Sequence, residues 1–128
     1  AKHCNVIVTT TPSEFALLKA EDIQKGTHIT AVGSDTEHKQ ELESELLKKA
    51  DIVIADSIPQ SRSRGEIYRA LTDGTISEDK IIELGSAIQN AALQRTHDDQ
   101  ITIVDLTGVA VQDIMITKAV YNGYIKNN

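Results

Sequence analysis

The sequence predicts an α/β domain built on a mostly parallel sheet. Short runs of aliphatic and β-branched residues alternate along the chain with segments whose apolar residues recur at helical spacing. Strands that alternate with helices are joined by right-handed crossovers, which make the strands parallel and place the helices on the faces of the sheet. The length of 128 residues suits one such domain, and 40% hydrophobic with 25% charged residues is typical of a globular chain.

Four strands are predicted, each short and rich in Ile, Val and Thr. The first run, NVIVTTT, ends before Pro12, because proline has no N–H to donate to a neighbouring strand. The other runs are HITAVG, DIVIAD and ITIVDL, and their near-continuous apolar character is typical of strands buried on both faces. The predicted strands cover residues 5–11, 28–33, 51–56 and 101–106.

Helices are predicted between these strands and after the last one. Leu42, Leu46 and Leu47 fall on one face of a helix over residues 39–50. Asp73-Gly74 is a stop signal for a second helix. The predicted helices cover residues 39–50, 61–71, 78–92 and a last segment in which Val111, Ile114, Met115 and Ala119 recur at helical spacing, with a short helical turn at residues 20–24.

The residues that follow the predicted strands form the candidate site. Ligands of parallel α/β sheets bind beyond the carboxyl ends of the strands. The segments at these ends are small or polar, as expected of a surface that a ligand approaches. They are Thr9-Thr10-Thr11, Gly33-Ser34-Asp35, Asp56-Ser57 and Thr107-Gly108.

Asp35 is the candidate acid of this site. It follows an apolar strand and a glycine, and a partly desolvated carboxylate at the mouth of the crevice is expected to have a raised pKa and to act as a general base. The alternative is an aspartate that only closes a turn, because Asp favours loops through local hydrogen bonds. Position alone leaves both interpretations open.

Two other segments could contact a ligand. The N–H groups after Thr107-Gly108, at the start of a helix, could hold an anion or a polar group, although an ordinary helix cap has the same pattern. The hydroxyl and N–H groups of residues 9–11 could bind a ribose or an amide. Alternatively, these three threonines only complete a strand, which β-branched residues favour.

Charge, cysteine content and missing motifs exclude several classes of function. Thirteen Lys and Arg against nineteen Asp and Glu give a net charge of −6, which predicts no nucleic-acid partner and no membrane partner. Cys4 is the single cysteine and fits a reducing cytoplasm. The sequence contains no G-x-G-x-x-G turn, and the spacing of His28, Asp35 and His38 matches no common metal site.

Two stretches carry a more specific signal. Residues 26–42, GTHITAVGSDTEHKQEL, contain the pattern G-x-H-x-x-x-x-G-x-D, and residues 101–113 read ITIVDLTGVAVQD. VIVTTTPS, ADIVIADS, RGEIYRAL and IIELGSAI occur in order around them. Together these stretches resemble the ornithine cyclodeaminase/mu-crystallin family over nearly the whole chain.

The resemblance implies a Rossmann-like three-layer α/β fold that binds NAD, with NADP as a possible substitute. It implies an enzyme like ornithine cyclodeaminase, which converts L-ornithine to L-proline and ammonia through hydride transfer to and from NAD and an imine intermediate. The alternatives within the family are an alanine dehydrogenase, a ketimine reductase, or a non-catalytic mu-crystallin-like protein that binds a cofactor or another small molecule.

The resemblance also implies roles for individual residues. Asp35, in the G-x-D element, matches the catalytic aspartate, and Lys39 matches a lysine common in that loop without an assigned role. The residues that match segments near the nicotinamide half of the cofactor are Thr9, Thr10, Thr11, Val32, Gly33, Thr107 and Gly108.

The Gly-rich turn and the separate substrate domain of the family have no counterpart in these residues. We therefore expect residues 1–128 to be one domain, formed by the second half of a Rossmann-like NAD(P)-binding domain and a C-terminal helix. On this expectation the chain alone is inactive. The longer enzyme would be a cytoplasmic homo-oligomer whose substrate is a small amino acid or imino acid.

Overall fold

A computed structural model describes residues 1–126, which form a five-stranded sheet with flanking helices. The strands are β1 (Val6–Thr9), β2 (His28–Ala31), β3 (Ile52–Ala55), β4 (Ile81–Glu83) and β5 (Thr102–Asp105). Their order across the sheet is β1-β2-β5-β3-β4, and every pairing among the described residues is parallel. The predicted parallel α/β sheet is confirmed, with one strand more than expected.

Five α-helices accompany the sheet in the described part of the chain. They are α1 (Ser44–Lys49), α2 (Ile58–Ser61), α3 (Gly65–Thr72), α4 (Leu84–Gln89) and α5 (Ala110–Lys126). Short 3₁₀ helices lie at Ala20–Asp22, Glu78–Lys80 and Ala91–Leu93.

One face of the sheet forms the hydrophobic core together with α1 and α3. Ile29, Ile103 and Val53 are neighbours across β2, β5 and β3, and all three are fully buried. Leu46 of α1 and Ile67 of α3 belong to the same buried cluster. This packing gives the carboxyl ends of the central strands a rigid support.

The other face of the sheet is less covered at β1. The side chains of Val6 and Val8 are 63% and 60% exposed, whereas Ile7 and Thr9 turn toward the core side. The prediction that the first strand is buried is therefore wrong for half of its residues. The physical reason is that β1 lies at the edge of the sheet.

The predicted helix over residues 39–50 begins only at Ser44. The N–H groups of Glu41 and Leu42 donate to the two oxygens of the Glu66 carboxylate, at 2.7 and 3.0 Å, and so are not available to a helical turn. The apolar spacing remains useful, because Leu42 and Leu46 are both fully buried.

Within the predicted helix over residues 61–71, Ser61 is the last residue of α2 and residues 65–71 belong to α3. Helix α3 begins at Gly65, whose φ of +93° lies in the region that favours glycine. A Cβ atom at Gly65 would lie 2.5 Å from Oδ2 of Asp105 and 2.7 Å from Cγ2 of Thr107. Glycine therefore allows α3 to approach the end of β5 closely. The predicted stop at Asp73-Gly74 is confirmed.

The predicted helix over residues 78–92 is wrong in its first half. Residues Ile81–Glu83 form β4, in which Ile81 pairs with Val53 of β3. The strand runs directly into α4, so no turn separates the two elements in the sequence. Short apolar runs are ambiguous between strand and helix when no turn bounds them.

The last helix has the predicted position, but its apolar residues are exposed. None of the residues of α5 is buried, and Val111, Ile114 and Met115 are 57%, 64% and 60% exposed. Within residues 1–126, no helix is sufficiently long and apolar to cross a membrane.

Candidate functional site

The carboxyl ends of β1 and β2 enclose a cavity that contains most of the predicted site residues. The N–H of Val32 donates to the carbonyl of Thr9 at 2.9 Å, which continues the strand pairing to the edge of the sheet. The cavity has a volume of about 280 Å³. Its lining residues are Thr10, Thr11, Pro12, Val32, Gly33, Asp35 and Lys39.

Asp35 and Lys39 form an ion pair at this cavity. Nζ of Lys39 donates to Oδ1 of Asp35 at 2.6 Å, while the Asp35 side chain stays 55% exposed. The hydrogen bond from Lys39 and the positive charge of its ammonium group hold the pKa of Asp35 below its ordinary value. The predicted rise in the pKa of Asp35 is therefore wrong, because the ion pair outweighs the small desolvation. An ionised Asp35 can accept a proton at neutral pH.

Glu41 lies behind the cavity wall and contacts residues from both strand ends that form the cavity. Its carboxylate is buried and accepts hydrogen bonds from the hydroxyls of Thr9 and Thr11 and from the N–H groups of Thr11 and Gly33. Burial alone would raise the pKa of Glu41, but these hydrogen bonds outweigh it and lower the pKa. Glu41 therefore remains an anion inside the protein.

These contacts change the interpretation of the threonine run. The hydroxyls of Thr9 and Thr11 point inward to Glu41, and Thr9 is buried below the cavity rather than in its lining. Thr10 is exposed at the cavity. The run is thus a strand end that is also held by a buried carboxylate, and Thr10 and Thr11 are the members that a ligand can reach.

Gly33 is constrained by the same carboxylate. A Cβ atom at Gly33 would collide with the carbonyl oxygen of Thr11 and would lie 2.6 Å from Oε1 of Glu41. No larger residue fits between β1 and β2 at this point, so the backbone of residue 33 forms part of the cavity wall.

Thr107 and Gly108 lie at the same edge of the sheet but line a separate turn after β5. The Thr107 hydroxyl donates to Oδ1 of Asp56 at 2.9 Å, and the Gly108 N–H donates to Oδ2 at 3.0 Å. The Gln60 side-chain amide donates to the Thr107 hydroxyl at 2.9 Å and to the Gly108 carbonyl at 2.8 Å. The Thr107 hydroxyl and the Gly108 N–H are therefore engaged within the protein, and an anion or polar group at the helix N–H groups that follow Gly108 stays a prediction.

Sequence reasoning misses Glu41, since a helix over residues 39–50 would place it among the polar residues of a surface. Its one sequence signal is its position inside the motif-bearing stretch of residues 26–42. Two partners of the Glu41 carboxylate, Thr9 and Thr11, are about thirty residues away in the chain, so no local pattern reveals these contacts. In the part of the chain that the structure describes, no group of three or more His, Cys, Asp or Glu residues could hold a metal ion.

A parallel sheet with a polar cavity at its carboxyl edge is the arrangement of the ligand-binding α/β domains. Within that class, the model of the ornithine cyclodeaminase/mu-crystallin family matches residues 1–128, and the chain belongs to this family. The resemblance found in the sequence is thereby confirmed.

Curated relatives and a solved structure agree with this assignment. Alanine dehydrogenase of Archaeoglobus fulgidus is 44% identical over 129 aligned residues, which cover 100% of this chain and 40% of that protein. Iminosuccinate reductase of Paracoccus denitrificans is 41% identical over 118 residues, which cover 92% of this chain and 36% of that protein. The structure of an archaeal alanine dehydrogenase dimer with bound NAD has a TM-score of 0.88 and 41% identity, covering 98% of this chain and 39% of its own. This chain spans about two-fifths of the length of these relatives.

Proposed function

We propose that the chain supplies the cofactor-facing site of an NAD-dependent oxidoreductase that acts at the amine-bearing carbon of amino acids or imino acids. The observation that carries this proposal is the ionised Asp35, paired with Lys39 at a cavity on the carboxyl edge of the parallel sheet. Alanine dehydrogenase and iminosuccinate reductase, the relatives at 44% and 41% identity, support this class of substrate.

The cavity suits one half of a dinucleotide. Its volume of about 280 Å³ is at the lower limit of pockets that enclose a drug-sized ligand, and the sequence has no Gly-rich turn for the pyrophosphate. Thr10, Val32 and Gly33 would contact the nicotinamide half. The Gly108 backbone borders open space on its Cβ side and could approach the same ligand. When bound, NAD supplies the hydride acceptor or, in its reduced form, the hydride donor.

Asp35 would act on the substrate amine. Its carboxylate accepts a proton from the ammonium group of the substrate before the amine-bearing carbon is oxidised. In the reverse reaction it returns a proton to the amine. The ammonium group of Lys39 holds this carboxylate in place at 2.6 Å and stabilises its charge. Neither residue needs to form a covalent bond to the substrate.

Cyclodeamination of L-ornithine to L-proline is the second candidate reaction, because the family that covers residues 1–128 takes its name from it. The third candidate is a mu-crystallin-like protein that binds the cofactor without turnover. NADP could replace NAD in each case, since the residues that distinguish the two would contact the adenosine half.

An assay of the natural gene product separates these candidates. The protein is incubated with NAD and either L-alanine, L-aspartate, L-proline or L-ornithine, while NADH and ammonia are both measured. A dehydrogenase forms NADH with one of the amino acids. A cyclodeaminase releases ammonia from L-ornithine without net NADH, because the hydride returns to the product. NAD binding without either product would overturn the proposed enzyme and support the binding protein.

We also propose that residues 1–128 are the second half of a Rossmann-like domain plus the C-terminal helix of a longer cytoplasmic homo-oligomer. The coverage of about two-fifths of the relatives supports this proposal, as does the dimeric form of the archaeal alanine dehydrogenase. The intact mass of the native gene product tests it. A mass more than twice 14.0 kDa is expected, and a mass near 14.0 kDa would contradict it.

A further inference from the structure

We infer that Glu41 is a positioning residue for the cofactor site, setting the backbone of residues 11 and 33 at the cavity wall. This inference rests on the proposed NAD site. It adds a residue that lies outside the cavity lining and would act through the residues it holds.

The Glu41 carboxylate joins the ends of two neighbouring strands. Oε2 accepts from the Thr9 hydroxyl at 2.6 Å and from the Gly33 N–H at 2.9 Å. Oε1 accepts from the Thr11 N–H and, at 2.9 Å, from the Thr11 hydroxyl. Thr9 belongs to β1, whereas Gly33 follows β2, so one side chain determines the separation of the two loops that form the cavity.

Glu41 is itself held on both sides of its backbone. Its N–H donates to Oε1 of Glu66 at 2.7 Å, and its carbonyl accepts from the N–H groups of Leu17 and Leu18 at 2.7 and 3.0 Å. The Glu41 side chain is fully buried. Because the backbone of Glu41 is fixed by these hydrogen bonds, its carboxylate holds Thr11 and Gly33 in a fixed position relative to the core.

The contact pattern requires a carboxylate rather than an amide. Both oxygens of Glu41 face backbone N–H groups, from Thr11 on Oε1 and from Gly33 on Oε2. A glutamine has nearly the same shape but replaces one oxygen with an NH₂ group, which would face one of these N–H donors. Glu41→Gln therefore removes the hold on one strand end with little change in volume.

The test compares Glu41→Gln with Glu43→Gln in the natural gene product. Glu43 is a matched control because its Oε2 also accepts a backbone N–H, that of Ala20 at 2.8 Å, but it does not contact the cavity. Amide hydrogen exchange of Thr11 and Gly33 is measured without cofactor, and the NAD dissociation constant is measured by titration. Glu41→Gln is expected to accelerate the hydrogen exchange of at least one of the two amides and to weaken NAD binding about tenfold. Glu43→Gln should leave the amide exchange rates and the NAD dissociation constant unchanged.

Thr9→Val tests the same role of Glu41 by removing one hydrogen-bond donor to its carboxylate. The Thr9 hydroxyl bonds to Glu41 and does not line the cavity, so its loss can affect NAD only through Glu41. We expect Thr9→Val to weaken NAD binding severalfold and the double variant to bind no more weakly than Glu41→Gln alone. This variant decides the question if Glu41→Gln does not fold.

The outcomes separate the two proposals. Failure of the unsubstituted protein to bind NAD would overturn the proposed function, and the assignment of Glu41 to a cofactor site with it. Normal NAD binding by the unsubstituted protein, together with unchanged affinity and unchanged amide exchange in the variants, would overturn the role of Glu41 alone.

Discussion

Asp35 and Lys39 determine the acid–base properties of the candidate site at the scale of single residues. The pair lies in a loop, four residues apart, where the two side chains meet at 2.6 Å. Because the Lys39 hydrogen bond lowers the pKa of Asp35 and outweighs the small desolvation, the carboxylate is ionised at neutral pH. The site therefore has a proton acceptor that stays in contact with solvent.

Asp35→Asn tests the proton acceptor in the natural gene product. We expect kcat/KM to fall by about a hundredfold to ten-thousandfold, because an amide cannot accept the proton, while the affinity for NAD changes little. Steady-state kinetics with the amino acid that gives activity measures this effect. Glu37→Gln is the control, since Glu37 is an exposed carboxylate in the same loop that pairs with His38. Equal kcat/KM for Asp35→Asn and the unsubstituted protein would contradict the role of Asp35.

Lys39→Met tests the ion pair. Removal of the Lys39 hydrogen bond and charge raises the pKa of Asp35 toward its ordinary value, so the acid limb of the pH profile of kcat/KM should move to higher pH. Lys48→Met is the matched control, because Lys48 forms an exposed ion pair with Glu45 at 3.7 Å, away from the cavity. An acid limb that stays in place in Lys39→Met would show that another group controls it.

At the scale of secondary-structure elements, the contact between α3 and β5 positions the site from the core side. Oδ2 of Asp105, the last residue of β5, accepts the Ile67 N–H at 2.9 Å in the first turn of α3. Glu66, in the same turn, holds the backbone of Glu41 and Leu42. The close approach at Gly65 is what allows one helix end to reach both β5 and the segment that contains Glu41 and Leu42.

Gly65→Ala tests this approach. The substitution combines an unfavourable positive φ with a Cβ atom 2.5 Å from Oδ2 of Asp105, and we expect it to lower the free energy of unfolding by about 3 kcal/mol. Gly74→Ala is the control, because Gly74 has a φ of +69° but no atom within 4 Å of its Cβ position. It should cost only about 1 kcal/mol. Urea denaturation of both variants measures the difference, and equal losses would show that α3 is not tightly packed at Gly65.

At the scale of the whole molecule, the buried carboxylates of Glu66 and Asp105 connect α3 to the segment around Glu41 and to the end of β5. Burial raises the pKa of Glu66 to about 7, against the hydrogen bonds from the Glu41 and Leu42 N–H groups. Burial, together with the negative charges of Glu66 and Asp56, also raises the pKa of Asp105. Such groups hold protons in the folded state that the unfolded chain has already released.

Glu66→Gln tests the resulting dependence of stability on pH. Between about pH 4.5 and 7 the folded protein binds the Glu66 proton and the unfolded chain does not, so this group makes the free energy of unfolding fall as the pH rises. This difference between the pKa of Glu66 in the folded and unfolded states changes the free energy of unfolding by on the order of 3 kcal/mol. The lowered pKa of His28 acts in the opposite direction, but it is common to both proteins. Glu66→Gln should therefore show a smaller fall over this range than the unsubstituted protein.

Urea denaturation at several pH values measures these slopes. Glu78→Gln is the control, since Glu78 is exposed and pairs with Arg62 at 2.9 Å. Its pKa is lowered by that pair, so its contribution to stability lies at lower pH. A Glu66→Gln slope equal to that of the unsubstituted protein would show that Glu66 does not titrate in this range.

The class of fold and the place of the candidate site follow from the amino-acid sequence alone. The alternation of apolar runs and helical spacing predicts a parallel sheet, and residues 26–42 and 101–113 carry the family resemblance. Because parallel strands end at the same edge, the chain order alone places Thr10, Gly33 and Asp35 near one another. These features depend on local periodicity and on topology, which short stretches of sequence encode.

Which polar groups meet depends instead on the packing of the chain in three dimensions. The inward hydroxyls of Thr9 and Thr11, the central place of Glu41 and the low pKa of Asp35 each depend on a partner's position in three dimensions. The same holds for β4, which becomes a strand because Ile81 lies beside Val53. Hydrogen bonds between residues about thirty positions apart follow from strand register and helix docking, and no local pattern in the sequence records either one.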